Sequence, residues 1–345
     1  MKSTCNLLTA VAMCFAVHTS QAGYNTPGTN IQTVLTGTVD NGAMYIQSVP
    51  TWLNATPAPG GLQPYTNTTS FVLPAATDIV LGRILFTFWG ATPNYTNAAN
   101  VSFNGTSLAS LTFGTTTDTN PMYSATQPNV YGSGLGPWLV SVPVTASLVH
   151  TDGTPNTVTI AESLPTVDGR LLQVTFLSVY QDALTLNNQF SYSIAEGSGD
   201  IYGNPASGPG RTDFREVALG LGNPANVSAA TLTALYTYGT AGENDQLRFN
   251  DTALGGSGSN DVANWSNTLT GTNQGPNLVS FDVKGHLNET NTARFTVALA
   301  DVSGTREGTL RPSMVALGIT TIPEPSTFLL VGLGLGALLL RRRKS

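Results

Sequence analysis

The sequence predicts an all-β body of sandwich-like architecture, exported and then held by a single C-terminal transmembrane helix. Apolar residues come in short alternating bursts rich in β-branched and aromatic side chains, the pattern of half-buried strands. Gly, Pro and Asn clusters such as PAPGGLQP and GNPASGPG separate the bursts and mark turns at short intervals. No stretch between Gly23 and Thr321 carries the three-to-four spacing of an amphipathic helix.

Taken in chain order, the strand bursts include ILFTFWG (84–90), NTVTIA (156–161), LLQVTFLSVY (171–180), FSYSIA (190–195), LTALYTYG (232–239) and RFTVALA (294–300). Two regions repeat one another. VSFNGTSL (101–108) matches LRFNDTAL (247–254), and LVSVPVTASL (139–148) matches LVSFDVKGHL (278–287). In the same order, LFTFWG precedes the first unit and LYTYG the second, while NTVTIA and NTARFTVALA follow. The physical reading is a strand, an Asn-Gly or Asn-Asp turn, a second strand, and a longer excursion to the next. Phe103 and Phe249 should point inward, with Ser102 and Arg248 outward. Two tandem sandwiches follow, the first over 23–185 and the second over 223–321, joined by a crossover at 186–222.

Both chain ends read as targeting segments. Lys2 opens a short basic region, Leu7 to Val17 is apolar, and Ser20-Gln21-Ala22 offers small residues at the spacing signal peptidase accepts. Residues 1–22 are therefore a signal peptide, cut between Ala22 and Gly23. Both cysteines, Cys5 and Cys14, lie in this leader, so the mature chain forms no disulfide and depends on packing alone. At the other end Ser326 to Leu340 is free of charge, a marginal span for a hydrocarbon core of about 30 Å. Arg341, Arg342, Arg343 and Lys344 follow it as cytoplasmic anchors.

With leader and tail removed, nine cationic and nineteen anionic side chains remain, a net charge of about −10 that disfavours nucleic acid and anionic membrane as partners. Charged residues make up only 10% of the chain, and Thr, Asn, Ser and Gly solvate it instead.

Pro323-Glu324-Pro325, the apolar segment and the Arg-rich end occur together and in that order over residues 322–345. The tail resembles the PEP-CTERM sorting signal of Gram-negative bacteria. That resemblance implies an exosortase-type processing enzyme as partner, a transient stay in the inner membrane, and delivery to the cell surface or the extracellular polymer matrix. From Arg83 to Thr320 the Leu-aromatic strand, the FNG hairpin, GRLL…VYQD and SIAEGSGD are similar to a poorly characterised family of archaeal and bacterial surface domains. This second resemblance implies jelly-roll-like sandwiches and no particular chemistry.

Signals of chemistry are sparse. His150 and His286 are the only histidines after the leader, far apart in sequence, and no G-x-S-x-G elbow is present, which disfavours zinc and a Ser-His-Asp triad. Carboxylate pairs for glycoside hydrolysis are available in Glu162 with Asp168, or Glu196 with Asp213 or Glu216, but solvated loop acids are the preferred reading of them. In EGSGDIYGN (196–204), Glu196, Asp200 and Asn204 are hard oxygen donors among turn-permitting glycines, a candidate calcium loop with the wrong spacing for an EF-hand. Trp138 and Trp265 lie in Gly- and Asn-rich surroundings and are expected to be exposed, as platforms for sugar rings, while Trp89 is expected in the core. The sequence thus points to a non-enzymatic structural or adhesive surface protein without cofactor. A carbohydrate-binding module, or a glycoside hydrolase acting on extracellular polysaccharide, is the alternative.

Overall fold

The computed structural model describes residues 28–51, 66–89, 97–113, 128–132, 137–162, 170–182, 188–199, 201–202, 213–237, 246–254, 277–297 and 309–322. The expected signal peptide at 1–22 and the expected transmembrane segment, with the whole tail from Pro323 onward, lie outside the described residues. Within them the regular structure is β-strand apart from two single 3-10 turns, and no helix is long and apolar enough to cross a membrane.

The first half carries β1 (Gly28–Asp40), β2 (Gly42–Pro50), β3 (Thr66–Phe71), β4 (Asp78–Trp89), β5 (Asn97–Phe103), β6 (Thr106–Phe113), β7 (Asn129–Gly132), β8 (Pro137–Val144), β9 (Asn156–Glu162) and β10 (Arg170–Gln181). The second half carries β11 (Gln189–Gly199), β12 (Ile201–Tyr202), β13 (Asp213–Ala218), β14 (Val227–Thr237), β15 (Gln246–Phe249), β16 (Thr252–Leu254), β17 (Asn277–Asp282), β18 (Thr292–Val297) and β19 (Thr309–Thr321).

Four antiparallel sheets form. In the first sandwich an outer sheet of order β3-β9-β5-β6 faces an inner sheet of order β2-β10-β4-β8-β7. In the second an outer sheet β13-β18-β15-β16 faces an inner sheet β1-β11-β19-β14-β17. Without the flanking strands β7 and β1 and the two-residue β12, each sandwich has the same eight-strand order, which is that of a jelly roll. The internal duplication is therefore a duplication of topology: β4 corresponds to β14, β8 to β17, β9 to β18 and β10 to β19. The FNG and FND motifs form equivalent hairpins, β5–β6 and β15–β16, with Asn104, Gly105, Asn250 and Asp251 all at positive φ.

The strands partition differently from the expected boundaries. β1, within the stretch expected as the first sandwich, pairs with β11 in the second inner sheet. The expected crossover at 186–222 holds β11, β12 and β13, and β11 sits inside the second inner sheet between β1 and β19. The physical reason is that FSYSIAEGSG is buried along nearly its whole length, so it needs a neighbour on each edge and cover on each face.

Each sandwich has its own core. Ile84, Phe86, Phe103, Ile160 and Phe176 belong to the first, and Leu232, Tyr236, Phe249, Phe295 and Leu317 to the second. A third core joins them back to back, with Leu85, Leu139, Leu177 and Val179 from the first inner sheet and Phe190, Tyr192, Ile194, Met314 and Ala316 from the second. Strands covered on both faces read as near-continuous apolar runs, as LLQVTFLSVY does, whereas β9 of an outer sheet alternates between buried and half-buried residues. Gly318 makes room for the Phe190 ring of the neighbouring strand, since a Cβ there would lie 2.7 Å from that ring.

At one end of the strands lie tight connections: the β1–β2 turn at Asn41, the two Asn hairpins, and the 3-10 turns at Ala146–Leu148 and Lys284–His286. β19 finishes at this turn end, where Thr321 pairs with Gln189 and the Ile322 amide donates to the Asn226 carbonyl at 3.1 Å. β1 begins at the far end, opposite Gly199.

Candidate functional site

The back-to-back interface is apolar with a polar cluster set into it. Val39, Phe190, Tyr192 and Val179 fill its turn end with apolar side chains. Farther along, Arg83, Ser141, Tyr131, Glu196 and Ser198, all buried, lie among Leu85, Leu139 and Met314. On β4 the period of two sends Ile84, Phe86 and Phe88 into the first sandwich and leaves Arg83 and Leu85 facing the second.

Arg83 and Glu196 meet across this interface, each fully buried, with Arg83 Nε 3.1 Å from Glu196 Oε1. Arg83 Nε also donates to Ser141 Oγ at 2.8 Å, and Ser141 Oγ donates to Glu196 Oε1 at 2.8 Å. Tyr131 donates to Glu196 Oε2 at 3.0 Å. Arg83, Ser141 and Tyr131 come from β4, β8 and β7 of one sandwich, and Glu196 from β11 of the other, so the four residues fasten the two sandwiches together. Both carboxylate oxygens are engaged, which compensates much of the desolvation a buried charge suffers. Nearby, Arg215 on β13 donates to Asn30 on β1 and ties the edge of the second outer sheet to its inner sheet.

The expected site residues distribute as follows. Glu196 faces the interface and accepts from Tyr131, Ser141 and Arg83; a calcium ion there would have to displace a guanidinium. Asp200 and Asn204 lie outside the described residues, among which no group of three or more His, Cys, Asp or Glu side chains could hold a metal. Glu216 is on the outer sheet of the second sandwich, where it accepts from Arg294 Nε at 2.6 Å. The sandwich thickness therefore separates it from Glu196, and the two do not form a catalytic pair. Glu162 is buried at the end of β9, while its suggested partner Asp168 is outside the described residues. Trp138, expected to be exposed, is instead 8% exposed and packs in the first core. Its ring lies against Gly132, where a Cβ would approach to 2.7 Å, so the neighbouring glycine serves packing and not a loop. Trp265 and the Trp89 side chain are outside the described residues.

His150 and His286 each sit beside a side-chain clamp. Asn104 Nδ2 donates to Asn156 Oδ1 at 3.0 Å and to the Leu148 carbonyl at 2.8 Å. Asn250 Nδ2 donates to Asn291 Oδ1 at 2.6 Å and to the His286 carbonyl at 2.7 Å. The histidines take part through their backbones, the His150 amide donating to Asn156 Oδ1 at 2.7 Å. Sequence reasoning missed the two clamps and the Arg83–Glu196 pair. The signals were a lone Arg in an apolar strand, and an Asn-Thr at the start of each of β9 and β18.

A family model described as "Protein of unknown function (DUF3344)" matches residues 23–320, and one described as "PEP-CTERM protein-sorting motif" matches residues 321–344. No curated protein matches the chain. Among solved structures, a peptide-N(4)-(N-acetyl-β-D-glucosaminyl) asparagine amidase is similar at 13% identity, covering 84% of this chain and 97% of that one, with a TM-score of 0.26. Dimeric latent PorU from Porphyromonas gingivalis is similar at 10% identity, covering 84% and 22%, with a TM-score of 0.26. The ANX2 ectodomain from Arabidopsis thaliana is similar at 8% identity, covering 81% and 88%, with a TM-score of 0.27. Likeness at these scores bears on no activity of this chain.

Proposed function

The chain belongs to the family described as protein of unknown function (DUF3344), and, because a PEP-CTERM protein-sorting motif follows its last strand, we propose that it is an exosortase-sorted structural or adhesive protein of the bacterial surface or extracellular matrix. The observation that carries this reading is the junction itself. Strand pairing runs to Thr321, and the matched motif takes up at the same residue. The body is thus complete before the sorting signal starts, and the signal leaves from the turn end. While the tail is held in the inner membrane, the far end of both sandwiches points away from it. Signal peptidase acts at the Ala22–Gly23 bond in this scheme and the exosortase near Pro323 to Pro325, so the transmembrane segment is a temporary handle.

A non-enzymatic role is supported by the way the described acids are used. Glu196 locks the sandwiches and Glu216 pairs with Arg294 on the outside of one of them. A carbohydrate-binding role is favoured by one further observation, the uncharged hydroxyl face of the first outer sheet. In a host that has the sorting enzyme, replacing Pro323, Glu324 and Pro325 by Ala leaves export intact and traps the protein in the inner membrane at full tail length. Release of the variant at the wild-type rate contradicts the proposal.

A further inference from the structure

The outward faces of the two outer sheets are built on the same strand order yet carry opposite chemistry. In the second sandwich one cross-strand row reads Glu216–Arg294–Arg248, with Glu216 opposite Arg294 and Arg294 opposite Arg248. Arg294 is also 3.5 Å from Asp251, so this row is an ordinary charged, solvated surface. In the first sandwich the equivalent row reads Thr68–Thr159–Ser102–Ser107, with each residue directly opposite the next. Thr68 and Thr159 share a hydroxyl hydrogen bond at 3.2 Å, and Ser70 and Thr157 in the adjacent row share one at 3.4 Å. Among the described residues no Asp, Glu, Lys or Arg projects from this face.

We propose that the hydroxyl face of β3-β9-β5-β6 is a docking surface for a neutral polysaccharide chain. This inference rests on the extracellular placement proposed above and names the class of partner. A row of hydroxyls offers donors and acceptors at the strand spacing of about 4.8 Å, with methyl groups between them, and this repeats along one direction as an extended glycan does. The absence of charge removes two obstacles. Nothing on the face must lose a tight ionic hydration shell when a neutral sugar covers it, and no charged side chain competes with the sugar hydroxyls for the Thr and Ser oxygens. An anionic polymer is disfavoured, because the body is strongly acidic and this face supplies no cation to offset it. The second sandwich acts as the internal control, since its charged row shows that the same strand order accommodates charged side chains at these positions.

The test uses full-length chain in mild detergent, sedimented with swollen cellulose, chitin or dextran beads, and with alginate as the anionic polymer. The wild type is expected to bind at least one neutral polymer and not alginate. The variant T68E/S102R/T159R installs the row already tolerated by the second sandwich, so it keeps its melting temperature while retention falls roughly tenfold through unpaired and desolvated polar groups. E216T/R294T, on the other outer sheet, leaves retention unchanged. Failure of the wild type to bind all three neutral polymers, retention of the triple variant at the wild-type level, or preference for alginate each overturns the proposal. Fractionation of the host reads the sorting role separately, so a protein that is released yet binds no glycan contradicts only this inference.

Discussion

Asn156 and Asn291 hold the same position in the two sandwiches, each buried, each accepting through Oδ1 from the Asn of the preceding hairpin turn. Each also closes a loop on itself: Asn156 Oδ1 accepts the His150 amide and Nδ2 returns to the His150 carbonyl, and Asn291 does the same with Asn288. The hairpin Asn completes the clamp by accepting the next amide, Thr157 at 2.7 Å for Asn104 and Thr292 at 2.8 Å for Asn250. Three chain segments at the turn end are thereby pinned by side chains, in a stretch of chain, 23–321, that contains no cysteine.

Truncating the buried member strands several backbone groups at once. N156A and N291A are each expected to lower unfolding free energy by about 2–3 kcal/mol, the cost of leaving buried polar groups without partners. Denaturant unfolding of both variants checks this. Losses below half a kcal/mol would show that the clamps decorate turns already fixed by their backbone.

The Arg83–Glu196 pair predicts a different signature. E196A leaves a fully buried guanidinium without its carboxylate and is expected to cost about 3–5 kcal/mol. The double variant R83M/E196M removes both charges and should recover most of that loss, so the two substitutions couple strongly in a double-mutant cycle. Additive losses would mean that the two side chains do not depend on one another.

Strand membership predicts how the chain can be divided. A fragment of residues 223–321 lacks β11, β13 and β1, which supply two neighbours in the inner sheet and one edge of the outer sheet. It is expected to show no cooperative melt by circular dichroism, whereas residues 186–321 regain β11 and β13 and show one. A cooperative melt of the shorter fragment would overturn the assignment of β11 to the second inner sheet.

Burial raises the hydroxyl pKa of Tyr45, Tyr180 and Tyr192 above the ordinary phenol value of 10.0, with the Asp182 charge adding to the effect at Tyr180. The unfolded chain ionises near pH 10 and the folded chain resists. Stability is therefore unaffected by these groups below about pH 10 and falls as the pH rises above it. Y192F should soften that alkaline fall in a pH series of thermal melts, while an identical profile would assign it to other groups.

The parts of this architecture legible in the sequence were local ones. FNG and FND announce their turns because Asn, Asp and Gly tolerate the positive φ found at Asn104, Gly105, Asn250 and Asp251. The alternation of β9 is visible because one of its faces is wet. What stayed hidden depended on distant chain. Glu196 resembled a loop ligand because three glycines surround it, yet Gly197 is there because a Cβ would lie 2.7 Å from the Asn30 carbonyl oxygen of β1. Its real partner, Arg83, belongs to the other sandwich, and nothing near either residue names the other. Trp138 misled for the same reason, since the glycine it packs on is read in sequence as flexibility. The division into sandwiches followed sequence order too closely, because the strand that connects the halves is shared out by pairing and not by position.

If processing at the tail delivers the double sandwich outside the cell, intact mass spectrometry of the wild-type protein reads the cut ends. The protein is expressed in a Gram-negative host that has an exosortase, and the host is fractionated into inner membrane, envelope and medium. The released form is expected to begin at Gly23 and to end within or just before Pro323 to Pro325, without Arg341 to Lys344. A protein found only in the inner membrane, with Ser345 still attached, would contradict it.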